Sequence, residues 1–550
     1  VLVVGGSAAG LRCACRLARL RPDWSVRVLE AREVFSYAAC GLPYALSGDV
    51  GDPDALRRTD YDVLRDESYF EHYKRVEVLA GYRAVKLDPG KQVLKVRNPH
   101  GSREELPWDE LVLATGASAL KLKGQGDHPS IVTFHAWEDL EPLKRRLATG
   151  RLDRVALVGA GLVGCELAEA FRALWGAEVT LIEAEATPLP RMLDPELGSC
   201  LLRHLRDNGV KFLGGAPIRK IRGGRERVEI VAGEQTIETQ AAVVAVGVEP
   251  ETRLARQAGL ELGPRGAIVV DRRLATSHPH VWAVGDCATV RHAVTGELDY
   301  VPLGSLANRQ GRTLANILAG RADEFPPVTG AAAVKVFDWN AASCGCTERS
   351  ARESGLQVRS VWITALDRPH YWPEVQEIHV KLVYDEESGR VHGVQAAGRG
   401  DVVKRIDVAT QLIARGATID DFTQLEHAYA PPYAPALEPL AVVAMVAQNQ
   451  RDGVESASPA EPIDGASVLD VRTGQGPEAD PLVTSRVHRI PMADLDRRSI
   501  ELDDAEHLVV CARGARAAEA VRLLSGRGLR ARFVGGGLSW RRKLDGSDEG

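Results

Sequence analysis

The chain has 550 residues, which at roughly 150 residues per domain predicts three or four domains. Hydrophobic residues make up 45% and charged residues 26%, an ordinary globular mix that excludes global disorder. A net charge of −6 excludes a general nucleic-acid or anionic-membrane surface, and no apolar run approaches the ~20 residues that span a bilayer.

Val1–Val4 reads as a strand, followed by a glycine-rich turn, a helix over Leu11–Leu20 and a strand over Val26–Glu30. The same order recurs with Arg154–Val158, a second glycine-rich turn, a helix through Leu174 and a strand over Glu178–Glu183. Such alternation predicts βαβ units on parallel sheets, hence two nucleotide-binding domains. Short strands follow, among them Arg227–Val231 and Ala241–Val246, then a β-rich region with Ile378–Tyr384 and Val391–Ala397. Helices are expected over Val402–Ala414 and Pro439–Gln450. Residues 451–463 are polar, contain two prolines and lack periodicity, so they read as a linker. A small α/β domain restarts with strands Ser467–Asp470 and His507–Val510 and a helix over Arg516–Ser525, and residues 544–550 read as a frayed acidic tail. The N-terminus carries no basic, apolar, small-residue signal pattern. Nine cysteines, an odd number without framework spacing, point to a reducing compartment and a cytoplasmic protein.

The first turn, Gly5-Gly6-Ser7-Ala-Ala-Gly10, matches G-x-G-x-x-G except that Ser7 replaces the middle glycine. The first glycine serves the tight turn and the last lets helix and strand pack closely, so that helix amides face a pyrophosphate. Glu30 ends the next strand, where a carboxylate accepts ribose hydroxyls. Ala114-Thr115-Gly116 and Ala283-Val-Gly285-Asp286 stand where two-dinucleotide flavoproteins close over FAD, with Gly285 allowing backbone approach and Asp286 reaching the ribityl or pyrophosphate region. The second turn, Gly159-Ala-Gly161-Leu-Val-Gly164, is complete, and Glu183 ends its second strand. A carboxylate there favours NADH and repels the 2′-phosphate of NADPH. Ala245-Val-Gly247 reads as the return crossing to the FAD domain. Glu166 and Glu169 lie on the helix after the turn, Glu166 either touching the nicotinamide side or lying on a plain helix face.

Ser36-Tyr-Ala-Ala-Cys40-Gly-Leu-Pro-Tyr44 follows the FAD strand and resembles the active site of the coenzyme A-disulfide reductase and NADH-dependent persulfide reductase branch of the FAD-dependent pyridine nucleotide-disulfide oxidoreductases. The resemblance covers about residues 1–450 and includes both glycine turns, Ala283–Ala288, Val301–Arg312 and Tyr429–Tyr433. Relatives with a C-x-x-x-x-C pair run through a protein disulfide, whereas here no second Cys lies within five residues of Cys40. A single thiolate then cycles through a mixed disulfide, a persulfide or a sulfenic acid, and a nearby flavin and helix N-terminus would lower its pKa. The resemblance implies bound coenzyme A, with Arg12, Arg16, Arg19, Ser36, Lys74 and Asn308 as its contacts. The family's Asn before the Cys is Ala39 here, which removes one donor. It also implies that Tyr371 and Tyr429 reach the Cys from a second subunit, making a homodimer with shared sites. The remaining cysteines other than Cys511 read as core or helix residues, and no metal site is expected.

Val509-Val-Cys511-Ala-Arg513-Gly-Ala-Arg516 resembles the rhodanese loop C-x-x-G-x-R, supported by Leu469–Arg472, Ile490-Pro491 and Gly535–Trp540. Backbone amides of such a loop cradle an anion or a persulfide, with Arg513 and Arg516 as anion contacts.

The expected fold class is α/β, with two Rossmann-like dinucleotide-binding domains, an α+β dimerisation domain and a C-terminal rhodanese-like α/β domain. The boundaries are 1–112 and 246–325 for FAD, 113–245 for NADH, 326–450 for dimerisation, 451–463 for the linker and 464–543 for the rhodanese. The expected activity is NADH-dependent reduction of persulfide or polysulfide sulfur to sulfide, with coenzyme A persulfide as substrate, through Cys40, with Cys511 shuttling sulfane sulfur. Reduction of coenzyme A disulfide, an NADH oxidase or peroxidase, and a sulfur-trafficking carrier are the alternatives. Its partners are small molecules and a second copy of the chain, with no nucleic acid and no membrane.

Overall fold

The computed structural model describes residues 1–224, 227–475, 482 and 484–544. Of the tail expected over 544–550, Leu544 closes helix Gly537–Leu544 and 545–550 lie outside the described residues. Two compact units are present. One holds residues 1–184, 216–292 and 296–328, and the other holds 185–215, 293–295 and 329 to the end of the described chain.

The first unit carries two parallel sheets. One is five-stranded, in the order Val281–Ala283, Leu111–Leu113, Leu2–Val4, Arg27–Glu30 and Glu77–Ala80. All neighbours in it pair parallel. The second aligns Glu178–Ile182, Arg154–Val158, Ala241–Val244 and Ile131–Thr133, again in parallel. Strands this short are buried through their apolar residues: Leu111, Val112 and Leu113 are fully buried, as are Ala156 and Leu157. Residues Ala117–Ala119 and Val248–Pro250 form an antiparallel pair at the two crossings between these sheets. Helices Ala8–Leu20 and Leu162–Ala173 follow the two glycine turns, in close accord with the sequence reading. The boundary at 112/113 cuts the strand Leu111–Leu113 one residue early.

In the second unit, a five-stranded antiparallel sheet runs Ala332–Val336, Trp339–Gly345, Val391–Gly398, Glu377–Asp385 and Val358–Leu366. A second five-stranded sheet is parallel, in the order Ser456–Ala457, Ala531–Val534, His507–Val510, Ser467–Asp470 and Val487–Arg489. It has the rhodanese-like topology expected for the C-terminal domain.

Two boundaries differ from the sequence reading. Residues 185–215, placed by sequence within 113–245, belong to the second unit. The polar segment 451–463 is no free tether: the preceding helix runs Pro439–Arg451, and Ser456–Ala457 pairs with Phe533–Val534. Arg359 holds Glu455 at 2.5 Å, Arg532 holds Glu461 at 2.8 Å, and Arg541 donates to the Pro459 carbonyl at 3.2 Å. Polar composition here reflects ion pairing along a docked strand, which composition alone does not distinguish from solvation. Among the described residues, no helix is long and apolar enough to cross a membrane.

Candidate active site

The glycine turns are shaped by crowding. A Cβ on Gly5 would lie 2.0 Å from the Ala114 carbonyl oxygen, and one on Gly10 would lie 2.0 Å from the Gly5 oxygen. In the second turn, a Cβ on Gly159 would meet the Ala245 oxygen at 2.5 Å and one on Gly164 the Gly159 oxygen at 1.9 Å. Ser7, the departure from the pattern, has φ −111°, an extended conformation open to any residue, so its backbone carries no strain. Gly161 also has a negative φ and nothing within 4 Å of its Cβ position, leaving open space where a ligand backbone or phosphate can approach.

Both carboxylates predicted at strand ends reach their turns. Glu30 accepts from the Gly6 amide at 2.8 Å and the Arg32 amide at 3.0 Å. Glu183 accepts from the Ala160 amide at 2.7 Å and the Ala184 amide at 2.8 Å. Neither following helix has an acidic residue in its first turn or a side-chain cap on its amides, so each presents free donors and a positive dipole end. That donor set fits the pyrophosphate of FAD at the first turn and of a nicotinamide dinucleotide at the second.

The crossing residues converge on the first turn. The Ala114 amide donates to Val4, Thr115 Oγ1 donates to the Glu251 carbonyl at 2.6 Å, and Gly116 and Gly247 have φ of +70° and +107°. Gly285, at φ +77°, donates its amide to Gln310 Oε1 at 2.7 Å. Burial raises the Asp286 pKa, with His135 opposing. Gln310 is buried and its Nε2 has no hydrogen-bond partner, an orphaned donor beside Asp286 of the kind a bound cofactor satisfies. The sequence reading quoted its segment without singling it out. A buried amide one helical turn from Leu306 and Ala307 is the signal that could have found it.

Cys40 lies in the 3-10 turn Ala39–Gly41, directly before helix Leu42–Ser47. Gly41 permits this packing, since a Cβ there would lie 2.3 Å from Leu56. Cys40 Sγ faces Gly304, the first residue of helix Gly304–Leu318, with 3.8 Å to the position a Cβ would take. The expectation of a lowered thiol pKa is overturned. Partial burial raises it first, and the charges of Glu166 and Asp286 raise it further. A backbone hydrogen bond at Cys40 opposes them without reversing the direction. Tyr44 Oη donates to Glu166 Oε1 at 3.3 Å, joining the Cys40 helix to helix Leu162–Ala173. Burial, with Glu169 adding repulsion, raises the Glu166 pKa to about 7, so Glu166 is more than a solvated helix-face carboxylate. The role of Tyr44 was not read from the sequence.

Arg12, Arg16 and Arg19 share one helix with Lys74 nearby. The Arg16 pKa is lowered by burial and then by the charges of Arg312, Arg321, Arg19 and Arg12, a field that favours an anion. Arg16 donates to Asn316 at 3.1 Å and Arg19 to the Cys15 carbonyl at 3.2 Å. Lys74 Nζ lies 4.9 Å from the Tyr69 ring, Ser36 is buried at φ +55°, and Asn308 donates back to the Gly304 carbonyl at 2.9 Å.

In the second unit, Tyr371 and Tyr429 come together. Both are exposed, and burial and then a hydrogen bond to Tyr429 raise the Tyr371 pKa. Cys511 is buried at the end of strand His507–Val510, and its Sγ accepts the Gly514 amide at 3.1 Å before helix Ala515–Ser525. Gly537, at φ +67°, packs beneath the loop, where a Cβ would meet the Cys511 and Ala512 oxygens and the Arg513 nitrogen at 2.7 Å. Arg513 is exposed and Arg516 half-buried. Asp470 and Arg472 form a buried pair at 2.8 Å.

Comparison with known proteins agrees with this architecture. Residues 1–306 match the pyridine nucleotide-disulphide oxidoreductase family model, and residues 331–441 match that family's dimerisation domain. An NAD(P)H coenzyme A polysulfide/persulfide reductase of Pyrococcus horikoshii is 35% identical over 454 residues, 81% of this chain and 98% of that protein. The structure of an NAD-dependent persulfide reductase from A. fulgidus superposes with TM-score 0.94 at 38% identity, over 98% of this chain and 99% of that one. A reduced CoADR-RHD from Bacillus anthracis superposes with TM-score 0.91 at 28% identity, over 99% and 97%. With parallel dinucleotide-binding sheets and family matches across both units, the chain belongs to the pyridine nucleotide-disulphide oxidoreductase family.

Proposed function

We propose that the protein is an FAD-dependent reductase that uses NADH to reduce persulfide or polysulfide sulfur, with coenzyme A persulfide as the substrate and a rhodanese domain that shuttles sulfane sulfur. The observation that carries this reading is the pair of single-thiol centres in one chain. Cys40 faces a helix N-terminus, and Cys511 sits in an amide-lined loop.

FAD, when bound, supplies two-electron transfer from NADH to sulfur. Glu183, held by two turn amides, places a carboxylate where a ribose 2′-hydroxyl is accepted and a 2′-phosphate repelled, which favours NADH. Cys40 thiolate attacks the carbon-bound sulfur of R–S–SH. The S–S bond breaks, HS⁻ leaves, and a Cys40–S–S–R mixed disulfide forms. Two electrons and a proton then return Cys40 to thiolate and release R–SH. Glu166, at about 7, can hold or release a proton near this thiol around neutral pH. The arginines on helix Ala8–Leu20 with Lys74 supply cations suited to the phosphates of coenzyme A. Tyr371 and Tyr429 donate to the leaving sulfur from a partner subunit of a homodimer. The proposed functional division keeps 1–112 with 246–325 for FAD, 113–245 for NADH, 326–450 for dimerisation and 464–543 for the rhodanese, with 451–463 as the connection.

The test is anaerobic NADH consumption with coenzyme A persulfide and, separately, coenzyme A disulfide, quantifying sulfide for wild type, Cys40→Ser and Cys511→Ser. Sulfide from the persulfide, lost in Cys40→Ser, is the expected result. Faster turnover on the disulfide, indifferent to Cys511, makes the chain a disulfide reductase with a separate sulfurtransferase and refutes the proposal.

A further inference from the structure

The rhodanese loop is set on the antiparallel sheet of the same unit. Gly535 packs on Trp362, where its Cβ would lie 3.1 Å from the Trp Cβ, and Gly536 packs on Thr364, with 3.2 Å to Oγ1. Trp540 is fully buried, its ring 5.0 Å from that of His379. These contacts fix the Cys511 loop over the end of strand Val358–Leu366. Just beyond the strand end lies a cleft of about 420 Å³. Leu366, Leu437 and Val442 give it an apolar wall, and Arg368, His370 and Arg513 line it as well. Arg513 is two residues from Cys511 and, among the described residues, makes no hydrogen bond or ion pair. Its backbone packs against Gly537, and its side chain lines this cleft. Arg368 donates to the Glu374 carbonyl at 3.1 Å and to the exposed Glu374 carboxylate at 3.4 Å, with Asp367 3.9 Å away. The Asp367 carboxylate is already engaged by the Gln376 and Asp401 amides.

An unpaired guanidinium, a second loosely held one and an apolar wall beside a sulfur-transfer loop describe one kind of visitor. We propose that this cleft is the substrate pocket of Cys511 and that it selects small alkyl persulfides carrying a negative charge on the alkyl arm. Arg513 and Arg368 pair with the charge, and Leu366, Leu437 and Val442 cover the arm. The inference rests on the sulfur-transfer reading of Cys511 and deepens it. In the transfer, Cys511 thiolate attacks the terminal sulfur of R–S–SH. The R–S to sulfur bond breaks, Cys511–S–SH forms, and R–S⁻ leaves, with no external oxidant or reductant.

The test uses the full chain in a Cys40→Ser background, which isolates Cys511. Thiocyanate formation from cyanide is measured with 3-mercaptopropionate persulfide and with its neutral amide counterpart, and the readout is the ratio of the two kcat/KM values. A preference of about tenfold for the anionic donor is expected, shrinking toward one in Arg513→Gln and in high salt, partly retained in Arg513→Lys and reduced in Arg368→Gln. A wild-type ratio near one, or a ratio unmoved by both glutamine variants, overturns the proposal while leaving sulfur transfer intact. No thiocyanate from either donor refutes the sulfur-transfer reading itself, and the pocket with it.

Discussion

Replacing Lys381 by Met removes the cation at the centre of a buried cluster of three carboxylates in the second unit. Lys381 is 1% exposed, and its Nζ lies 3.1 Å from Asp194, 3.2 Å from Glu196 and 2.8 Å from Glu348, with the Trp362 ring 5.3 Å away. Asp194 also receives the Gln395 amide at 2.6 Å and the Glu348 backbone amide at 2.9 Å. Glu196 accepts from Ser458 at 3.3 Å, and its carbonyl accepts from the Trp540 indole at 3.3 Å. One cation therefore balances three carboxylates where helix Pro195–Asp207, the antiparallel sheet and the rhodanese domain meet. Removing it leaves those carboxylates buried without a cation, at a cost of about 3–5 kcal/mol.

The pH dependence gives the sharper test. Burial pushes the Asp194 and Glu348 carboxyls up, but Lys381 and the neighbouring hydrogen-bond donors together outweigh it and hold both below their ordinary values. Their stabilisation is present above the unfolded carboxylate values and is lost as pH falls through the lowered ones. Burial alone would lower Lys381, yet the three carboxylates raise it, so its contribution is lost only as pH rises beyond the ordinary lysine range. In Lys381→Met the carboxylates are left with burial, their pKa values rise, and mild acid protonates them. Urea unfolding followed by tryptophan fluorescence is expected to show a deficit of about 3–5 kcal/mol at pH 8 that narrows toward pH 5. The double variant Lys381→Met/Glu348→Gln should recover part of it at pH 8. A deficit below about 1 kcal/mol, or one equal at both pH values, refutes the reasoning.

Glu166→Gln removes the largest charge opposing Cys40 ionisation. As pH rises through about 7, Glu166 becomes anionic in the native protein and holds the thiol back. In a Cys511→Ser background, Cys40 alkylation at pH 8 should therefore quicken about three- to tenfold in the variant, and identical rate profiles from pH 6 to 9 would exclude the coupling. The second glycine turn separates shape from access. Gly164→Ala puts a Cβ 1.9 Å from the Gly159 oxygen and should lower the melting temperature, whereas Gly161→Ala enters open space and should raise KM for NADH with the fold intact by circular dichroism. Equal melting losses in both variants would contradict that division.

The glycine turns were legible because their constraint is local. A strand, a tight turn and a helix leave no room for Cβ at two positions of each turn, and that exclusion is written in residue identity at Gly5, Gly10, Gly159 and Gly164. Glu30 and Glu183 were legible for the same reason, since strand length places each one beside its own turn. The loop Cys511–Arg516 and the strands around it also follow from short-range pattern.

The sequence by itself thus determined the parallel dinucleotide-binding sheets, the two isolated thiols and the order of the domains. Tertiary structure alone decided what surrounds them. Cys40 is raised rather than lowered because folding desolvates it and then brings near it Glu166 and Asp286, 126 and 246 positions further on. Residues 451–463 are docked because Arg359, Arg532 and Arg541 come from other elements to meet them. The Lys381 cluster draws on four separated segments, and folding alone brings Arg513 to one cleft with Leu366, Leu437 and Val442. Backbone geometry acts over a few residues and leaves its mark in sequence, whereas electrostatics and burial act through space between residues that only folding brings together.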